Sequence, residues 1–269
     1  MKRRVIWHLT ALLLLIFTLS ACQEQESSES TVDTELSALI DLAASGDVDA
    51  QVKLADAYLY EKAPVNNTNY TEAMKWYKAA AEQENAWAEN QISYMYHEGL
   101  GVEQDYDEAV RWARLSANQG LAVAQYNMGE AYYYGYGVEQ DYTEAAKWYQ
   151  LAADQEQAFA QYSLGHMYYD GLGVEQDYEK AFALYKPAAE SGVIYAQETL
   201  GWMYLLGEGT EINTEEAAHW TLMAAERGDA SSMKNMGYLY ENGIGVEKDL
   251  EEAQKWYKMA EEQTNKDNK

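Results

Sequence analysis

The sequence predicts an all-α protein, a solenoid of stacked helix pairs, and three observations support this prediction. A residue pattern returns along the 269-residue chain with a spacing of 36 residues. Within each repeat the apolar residues have helical spacing. Glycine and Asn or Asp stand where helices should end and begin. Periods between about 20 and 50 residues are typical of stacked repeat arrays, in which each repeat contacts mainly its neighbours.

Each repeat should contain two helices, named A and B here in chain order. The B helices should begin after an Asn or Asp that accepts hydrogen bonds from the first backbone N–H groups. In Asp249-Leu250-Glu251-Glu252 an acid also follows three residues later, and we predict a capping box there. These helix-entry positions are Asn69, Asp105, Asp141, Asp177, Asn213 and Asp249.

The predicted core lies on one stripe of each A helix. In the third repeat this stripe holds Ala124, Met128, Gly129 and Tyr132, four residues at offsets that share a helical face. On the B helices an aromatic or aliphatic residue recurs for packing between helices. Its positions are Trp76, Trp112, Trp148, Leu184, Trp220 and Trp256.

Glycine pairs should end the A helices. Glycine past a helix end supplies the left-handed backbone that a stop requires. A phosphate-binding loop is the other interpretation, and the lack of a preceding strand argues against it. The pairs are Gly99/Gly101, Gly135/Gly137, Gly171/Gly173, Gly207/Gly209 and Gly243/Gly245.

The N-terminus predicts a lipoprotein signal peptide, residues 1–21, which would direct the protein to the cell envelope. Residues 1–21 carry Lys2-Arg3-Arg4 before an apolar stretch that is short for a membrane-spanning helix. Leu19-Ser20-Ala21-Cys22 resembles the lipobox of bacterial lipoproteins, which implies lipidation of Cys22, the single cysteine. Gln23 after it implies, by the same resemblance, the outer membrane. Ordinary signal cleavage beside a chance cysteine remains the alternative.

The remaining boundaries follow from composition and periodicity. Residues 22–33 are polar and acidic, and we expect a disordered tether. Residues 34–46 should form an N-terminal capping helix, residues 47–263 the solenoid of six repeats, and residues 264–269 a polar tail. The mature chain should have no transmembrane helix and should attach to the membrane through the lipid.

Net charge restricts the partners. The chain has 19 Lys and Arg against 45 Asp and Glu, a formal charge of −26. Such a surface repels nucleic acid and suits a protein or peptide partner with basic residues. A general contribution to solubility is the alternative interpretation of this acidity.

The sequence offers little for catalysis, metals or cofactors. Outside the first 21 residues there are three histidines, His97, His166 and His219, without the spacing of a zinc site. Ser231 and Lys234 form an S-x-x-K motif, but the partner motifs of penicillin-recognising enzymes do not occur. We therefore predict no enzyme, no metal and no cofactor, with a hydrolase directed at β-lactams or the cell wall as a remote alternative.

Residues Ala124 to Ala153 match one repeat motif almost without change. The motif is A-x₃-L-G-x₂-Y-x₂-G-x-G-V-x₂-D-x₃-A-x₂-W-x₃-A-A. It resembles the Sel1-like repeat, a relative of the tetratricopeptide repeat, over about residues 46 to 263. The resemblance implies a right-handed solenoid of six helix pairs whose A helices line a concave surface. Such proteins generally serve as adaptors or scaffolds.

The A helices carry aromatic and acidic residues opposite the core stripe, where a solvated face would hold mostly Lys, Glu and Gln. Exposed aromatic stretches are typical of binding sites, and Tyr and Trp often anchor partners. We predict a groove for an extended peptide or a glycan. The alternative is that these aromatic residues pack against adjacent A helices. The predicted groove residues are Tyr94, His97, Tyr126, Glu130, Tyr133, Tyr162, His166, Tyr169, Trp202 and Tyr238.

These inferences predict a non-catalytic protein–protein interaction scaffold of the bacterial cell envelope. The alternative function is a periplasmic regulator of envelope signalling, secretion or motility.

Overall fold

The computed structural model describes residues 34–61 and 68–267. Within these ranges there are thirteen helices and no strand, which confirms the all-α prediction. The predicted signal peptide, the lipidation site Cys22 and the tether lie outside the described residues, as does the segment between residues 61 and 68. The chain divides after Asp105 into two compact units.

Within the described residues the first unit contains four helices. Its elements are α1 (34–44), α2 (Val48–Tyr60), α3 (Tyr70–Ala81) and α4 (Ala86–Glu98). The buried Gln51 side chain of α2 donates to the Ala43 carbonyl of α1 at 3.0 Å, and Gln83 donates to the Gly46 carbonyl at 3.2 Å. These bonds attach α1 to the end of the first repeat.

The second unit is a continuous series of nine helices within residues 106–267, each packed against the next in chain order. The even-numbered helices here are A helices and the odd-numbered ones are B helices. The elements are α5 (Tyr106–Asn118), α6 (Ala122–Tyr134), α7 (Tyr142–Ala153), α8 (Ala158–Asp170), α9 (Tyr178–Glu190), α10 (Ile194–Leu206), α11 (Thr214–Glu226), α12 (Ala230–Asn242) and α13 (Leu250–Asp267). The last helix continues to Asp267, so residues 264–267 are helical.

The B helices begin at the predicted residues, but the backbone N–H of the residue before each helix has a different acceptor from the one that a capping box would provide. Asp249 Oδ1 accepts from the N–H groups of Glu251 and Glu252 at 2.9 and 3.0 Å. The Asp249 N–H, which a capping box would give to Glu252, donates instead to the Tyr240 carbonyl at 3.0 Å. The same bond, at 2.9 to 3.0 Å, joins the helix-entry residue to a tyrosine carbonyl in all six repeats. It ties the start of each B helix to its own A helix.

Three of the four residues predicted for the core stripe of α6 are buried, and the fourth, Tyr132, is half-buried. In α6, Ala124 and Met128 are inaccessible, and Gly129 is buried beside them. The structure adds two buried positions on the same helix, Gln125 and Ala131. The stripe is therefore wider than the sequence spacing suggested, because each A helix is covered by B helices on two sides.

The recurring Trp positions pack between helices, as predicted. Trp220 lies in a cluster with Val193 and Leu200, and Trp148 packs against a cluster that contains Val110 and Met128. Leu184 packs in the same way against a cluster that contains Leu164.

Glycine ends the A helices for two separate reasons. Gly135 is the C-cap of α6 with φ +76°, and its N–H donates to the Ala131 carbonyl at 2.8 Å. Two residues on, a Cβ atom at Gly137 would lie 2.1 Å from the Tyr106 carbonyl oxygen. The first glycine provides the left-handed backbone, and the second leaves room for the start of the preceding B helix.

Candidate functional site

The predicted groove residues fall in both units. Tyr94 and His97 lie on α4 in the first unit. The other eight lie on the A helices of the second unit, and we call these eight the aromatic face. They are Tyr126, Glu130 and Tyr133 on α6, Tyr162, His166 and Tyr169 on α8, Trp202 on α10, and Tyr238 on α12.

Part of the aromatic face surrounds a pocket between α6, α7 and α8. The pocket has a volume of about 130 Å³. Ligand sites for whole small molecules usually measure about 300 to 1,000 Å³, so this pocket suits the end of one side chain. Its lining residues are Glu130, Tyr133, Tyr134, Tyr149, Tyr162, Ser163 and His166.

The rings around this pocket also contact one another. Tyr133 meets Tyr134 edge-on at 4.9 Å between ring centroids, and Tyr162 lies 5.7 Å from Tyr185. Tyr133 and Tyr162 are half-buried by these contacts, whereas 54% of Tyr134 is exposed. Packing between helices thus explains the buried parts of the rings, and an open edge remains for a ligand.

The other four residues of the aromatic face do not line this pocket, although Tyr126 lies beside it, 5.8 Å from Tyr149 between ring centroids. The Tyr169 hydroxyl donates to Glu208 at 2.7 Å, and its ring meets Tyr178 edge-on at 5.0 Å. Trp202 and Tyr238 line a separate, much narrower crevice of about 20 Å³ beside Thr221. Sequence offsets placed these residues on one helical face, but only four of the eight line the larger pocket.

Glu130 is the charged group of the pocket. The Tyr149 hydroxyl donates to Glu130 Oε1 at 2.5 Å. Burial, together with this carboxylate, raises the pKa of Tyr149 well above its ordinary value, and burial and Glu130 also raise the pKa of Tyr126. Both phenols therefore stay protonated at neutral pH, and Tyr149 remains a hydrogen-bond donor that orients the carboxylate.

Basic side chains are segregated away from this pocket. The helices α6, α8 and α10 contain no Lys or Arg. The described Lys and Arg ion pairs lie on or at the starts of B helices, for example Lys147 with Glu144 and Lys255 with Glu252. His166 is the basic group nearest the pocket, and its Nε2 lies 3.4 Å from Asp170 Oδ2. The pocket therefore has an acidic character that no Lys or Arg on its A helices offsets.

Sequence reasoning missed the tyrosines that the B helices contribute. Tyr149 and Tyr185 are buried, and they pack against Gly129 and Gly165 of the preceding A helices. Each follows the recurring Trp position by one residue. A polar aromatic residue directly after that position, opposite a glycine in the A helix, was the signal that could have found them.

The first unit contains a related acid–tyrosine pair. The Tyr77 hydroxyl of α3 donates to Asp56 Oδ1 of α2 at 2.5 Å. Asp56 occupies the repeat position of Glu130, and Tyr77 that of Tyr149. Here the indole N–H of Trp87 also donates to Asp56 Oδ1, at 3.3 Å. The predicted Tyr94 is exposed on the neighbouring α4, and His97 Nδ1 lies 2.9 Å from Glu98.

Other chemistry has little support. In residues 34–61 and 68–267 no group of three or more potential ligands could hold a metal ion, and no described helix has the length and apolar character to cross a membrane. Ser231 and Lys234 line an open concavity of about 440 Å³ with Tyr257 and Glu261. No partner motif of the penicillin-recognising enzymes accompanies this pair in the sequence.

Two solved structures resemble this chain closely. One is c5321, a protective antigen of uropathogenic Escherichia coli with the SLR fold, which is 37% identical with a TM-score of 0.81. The match covers 85% of this chain and 48% of that chain, so this chain spans about half the length of that relative. The other is a Sel1 repeat protein from Oxalobacter formigenes, 32% identical over 80% of this chain and 83% of that chain, with a TM-score of 0.71.

Curated proteins gave no significant match. The model of the Sel1 repeat matches six consecutive segments, residues 48–85, 88–121, 122–156, 158–193, 194–229 and 230–265. These segments contain the helix pairs described above, with the recurring Trp positions at equivalent places in all six and the glycine turns in the last five. The chain therefore belongs to the Sel1 repeat family.

Proposed function

We propose that this protein is a non-catalytic scaffold of the bacterial cell envelope, which binds a segment of a partner protein on the aromatic face of its second unit. Membership of the Sel1 repeat family indicates a protein-interaction scaffold. The single observation that carries the proposed site is the pocket at Glu130, where aromatic rings and a carboxylate meet and whose two A helices, α6 and α8, lack Lys and Arg.

Exposed aromatic area supports docking of a protein segment. Phe159, Tyr195 and Tyr238 are 55%, 63% and 51% exposed, on three successive A helices. Large aromatic side chains are the commonest energetic anchors of protein interfaces. Because packed helices hold these rings in place, little conformational entropy is lost from the scaffold when a partner binds.

The acidic charge supports a partner segment with basic residues. A net charge of −26 attracts such a segment and raises its rate of association. The pocket carboxylate then provides a local partner for one of its cations. Nucleic acid is disfavoured as a ligand by the same charge.

A site-specific cross-link tests this docking function. A photoreactive residue at Tyr134 should cross-link to one defined segment of a partner, whereas the same residue at Lys147 on α7 should not. A synthetic peptide of that segment should bind the purified protein, and Tyr133→Ala combined with Tyr169→Ala should weaken binding at least about tenfold. Equal affinity of this double variant and the natural protein would refute the proposed face.

The envelope location rests on the sequence at Leu19-Ser20-Ala21-Cys22, and we propose attachment through lipidated Cys22 to the outer membrane, facing the periplasm. The relative c5321 is a protective antigen, a property that agrees with display in the envelope. Cys22→Ala should move the protein from the membrane fraction to the soluble fraction, and globomycin should block processing of the natural chain. Membrane attachment unaffected by both would contradict this location.

A further inference from the structure

We infer that the pocket at Glu130 is a receptor for a single arginine side chain of the partner segment. This inference rests on the proposed docking function and assigns a chemical class to its main pocket. The guanidinium would donate to the Glu130 carboxylate, and its plane would stack on the surrounding tyrosine rings.

The first unit shows what a carboxylate at this repeat position accepts. Asp56 receives two donors, the Tyr77 hydroxyl at 2.5 Å and the Trp87 indole N–H at 3.3 Å. The N–H of a planar aromatic group thus lies against the acid. A planar cation with several N–H groups has the same kind of geometry.

At Glu130 the internal N–H donor is replaced. The tyrosine donor is kept, since Tyr149 donates to Glu130 at 2.5 Å. The repeat position of Trp87, however, is held by Phe159, whose ring has no N–H group. Tyr126 also lies close to Glu130. Glu130 is half-buried and lines the pocket, so a donor from outside the chain can reach its carboxylate.

The walls of the pocket suit a cation with a flat face. Tyr134 and Tyr149 line the pocket, and Tyr126 lies beside it, 5.8 Å from Tyr149 and 6.3 Å from Phe159 between ring centroids. Cations within about 6 Å of such rings are attracted by their negative faces. Arginine fits better than lysine because its guanidinium both stacks on aromatic rings and binds a carboxylate with two parallel N–H groups.

Size and charge agree with this occupant. A volume of about 130 Å³ admits the head and part of the stem of one long side chain. His166 lines the pocket and lies 3.4 Å from Asp170, Glu198 lies near Tyr162, and α6 and α8 carry no Lys or Arg. No internal lysine or arginine of these two helices competes for Glu130.

A titration with a small probe tests the receptor directly. Nα-acetyl-arginine amide is added to the full protein carrying ¹³C-labelled tyrosine, and the ring signals of Tyr134 and Tyr162 are followed by NMR. We expect saturable shifts with a dissociation constant on the order of millimolar. The neutral citrulline analogue should give none, and the lysine analogue should bind more weakly.

Three variants make the assignment specific. Glu130→Gln should weaken arginine binding about tenfold, because a charged hydrogen bond is lost. Phe159→Trp should also weaken it, because the new indole can donate to Glu130 as Trp87 does to Asp56. Glu241→Gln should have no effect, although Glu241 also accepts from a tyrosine, Tyr257, at 2.9 Å. Circular dichroism checks that each variant is folded.

The outcomes separate this inference from the docking proposal. Absence of saturable shifts, equal binding of citrulline or lysine, or unchanged binding in Glu130→Gln would overturn the arginine receptor. If the receptor is overturned but Tyr133→Ala with Tyr169→Ala still weakens the partner peptide, only this inference fails. If arginine binds as expected but the partner peptide binds the same double variant with unchanged affinity, only the docking proposal fails.

Discussion

The ring of Tyr149 lies against Gly129 so closely that a Cβ atom at Gly129 would be 2.4 Å from Tyr149 Cδ1. Tyr149 is on α7 and Gly129 on α6, and the residue next to Gly129 is Glu130, the acceptor of the Tyr149 hydroxyl. The glycine therefore sets the distance at which the tyrosine reaches the pocket carboxylate. Packing of the helix pair and geometry of the pocket depend on the same contact.

Gly129→Ala should destabilise the protein. Alanine favours the helix by about 1 kcal/mol over glycine, but overpacking against Tyr149 opposes this gain by about 1 to 3 kcal/mol. We expect a net loss of about 1 kcal/mol in the free energy of unfolding, measured by urea denaturation. Gly165→Ala is the matched control, since its Cβ would be 3.1 Å from Tyr185 and the ring needs to move less. Equal effects of the two substitutions would argue against the contact as the cause.

Alanine should destabilise the protein more at the second glycine of each turn than at a glycine that also has positive φ but has free space around its Cβ position. A Cβ at Gly173 would lie 2.3 Å from the Tyr142 carbonyl carbon, and φ is +68°. Gly228 has φ +97° with no atom within 4 Å of the Cβ position. Gly228→Ala should lose about 1 to 2 kcal/mol from the backbone conformation alone. Thermal unfolding should show a clearly larger loss for Gly173→Ala, because the backbone of α7 must also move; a smaller loss would contradict this packing.

Glutamine side chains of neighbouring repeats are joined by hydrogen bonds, an arrangement we call the glutamine ladder. It predicts a stabilising substitution at Arg227. Gln155 Nε2 donates to Gln125 Oε1 at 2.7 Å and to the Gly120 carbonyl at 3.0 Å. Two repeats later Arg227 takes the position of Gln155, and the buried Gln197 Oε1 has no hydrogen-bond partner among the described residues. Arg227→Gln should supply this partner.

We expect Arg227→Gln to raise the free energy of unfolding by about 1 kcal/mol, the net value of one hydrogen bond. The reverse change, Gln155→Arg, should lower it by a similar amount. Urea denaturation of both variants measures the pair of effects. A loss of stability in Arg227→Gln would show that the guanidinium contributes more at this place than the ladder bond does.

Stability should fall in alkaline solution because burial raises the pKa of several tyrosines, among them Tyr149 and Tyr185. At Tyr169 the hydrogen bond to Glu208, with burial, raises the pKa to about 12. The ordinary pKa of tyrosine is 10. Below pH 10 the phenols are neutral in both the folded and the unfolded state, so their full contribution to the free energy of unfolding is present. Above pH 10 the unfolded chain ionises first, so the free energy of unfolding decreases.

Each fully buried tyrosine should add about 1.4 kcal/mol per pH unit to this decrease. Tyr185→Phe removes one such group, since Tyr185 is buried and burial is the main cause of its raised pKa. The variant should lose stability less steeply above pH 10 in urea titrations. Parallel curves for the variant and the natural protein would contradict a buried, neutral Tyr185.

The sequence alone was sufficient for the helices and their order, because their signals are local. Asp249 accepts from the two N–H groups that its position before α13 predicted, and Gly135 has the left-handed backbone expected past α6. Residues at helical spacing, such as Ala124 and Met128, are buried where the stripe predicted burial. Each of these features depends on residues a few positions apart, and the 36-residue period repeats them.

Only the tertiary structure decided which aromatic residues meet. Helical offsets grouped Tyr169, Trp202 and Tyr238 with the pocket residues, yet these three do not line the pocket. The side chains on facing helices decide how closely the helices pack and therefore which rings meet. Gly129 admits Tyr149 from a B helix, and Thr221 leaves only a narrow crevice beside Trp202. The pairing of Glu130 with Tyr149 joins residues 19 positions apart across two helices, and such a contact follows from packing distances that helical periodicity does not contain.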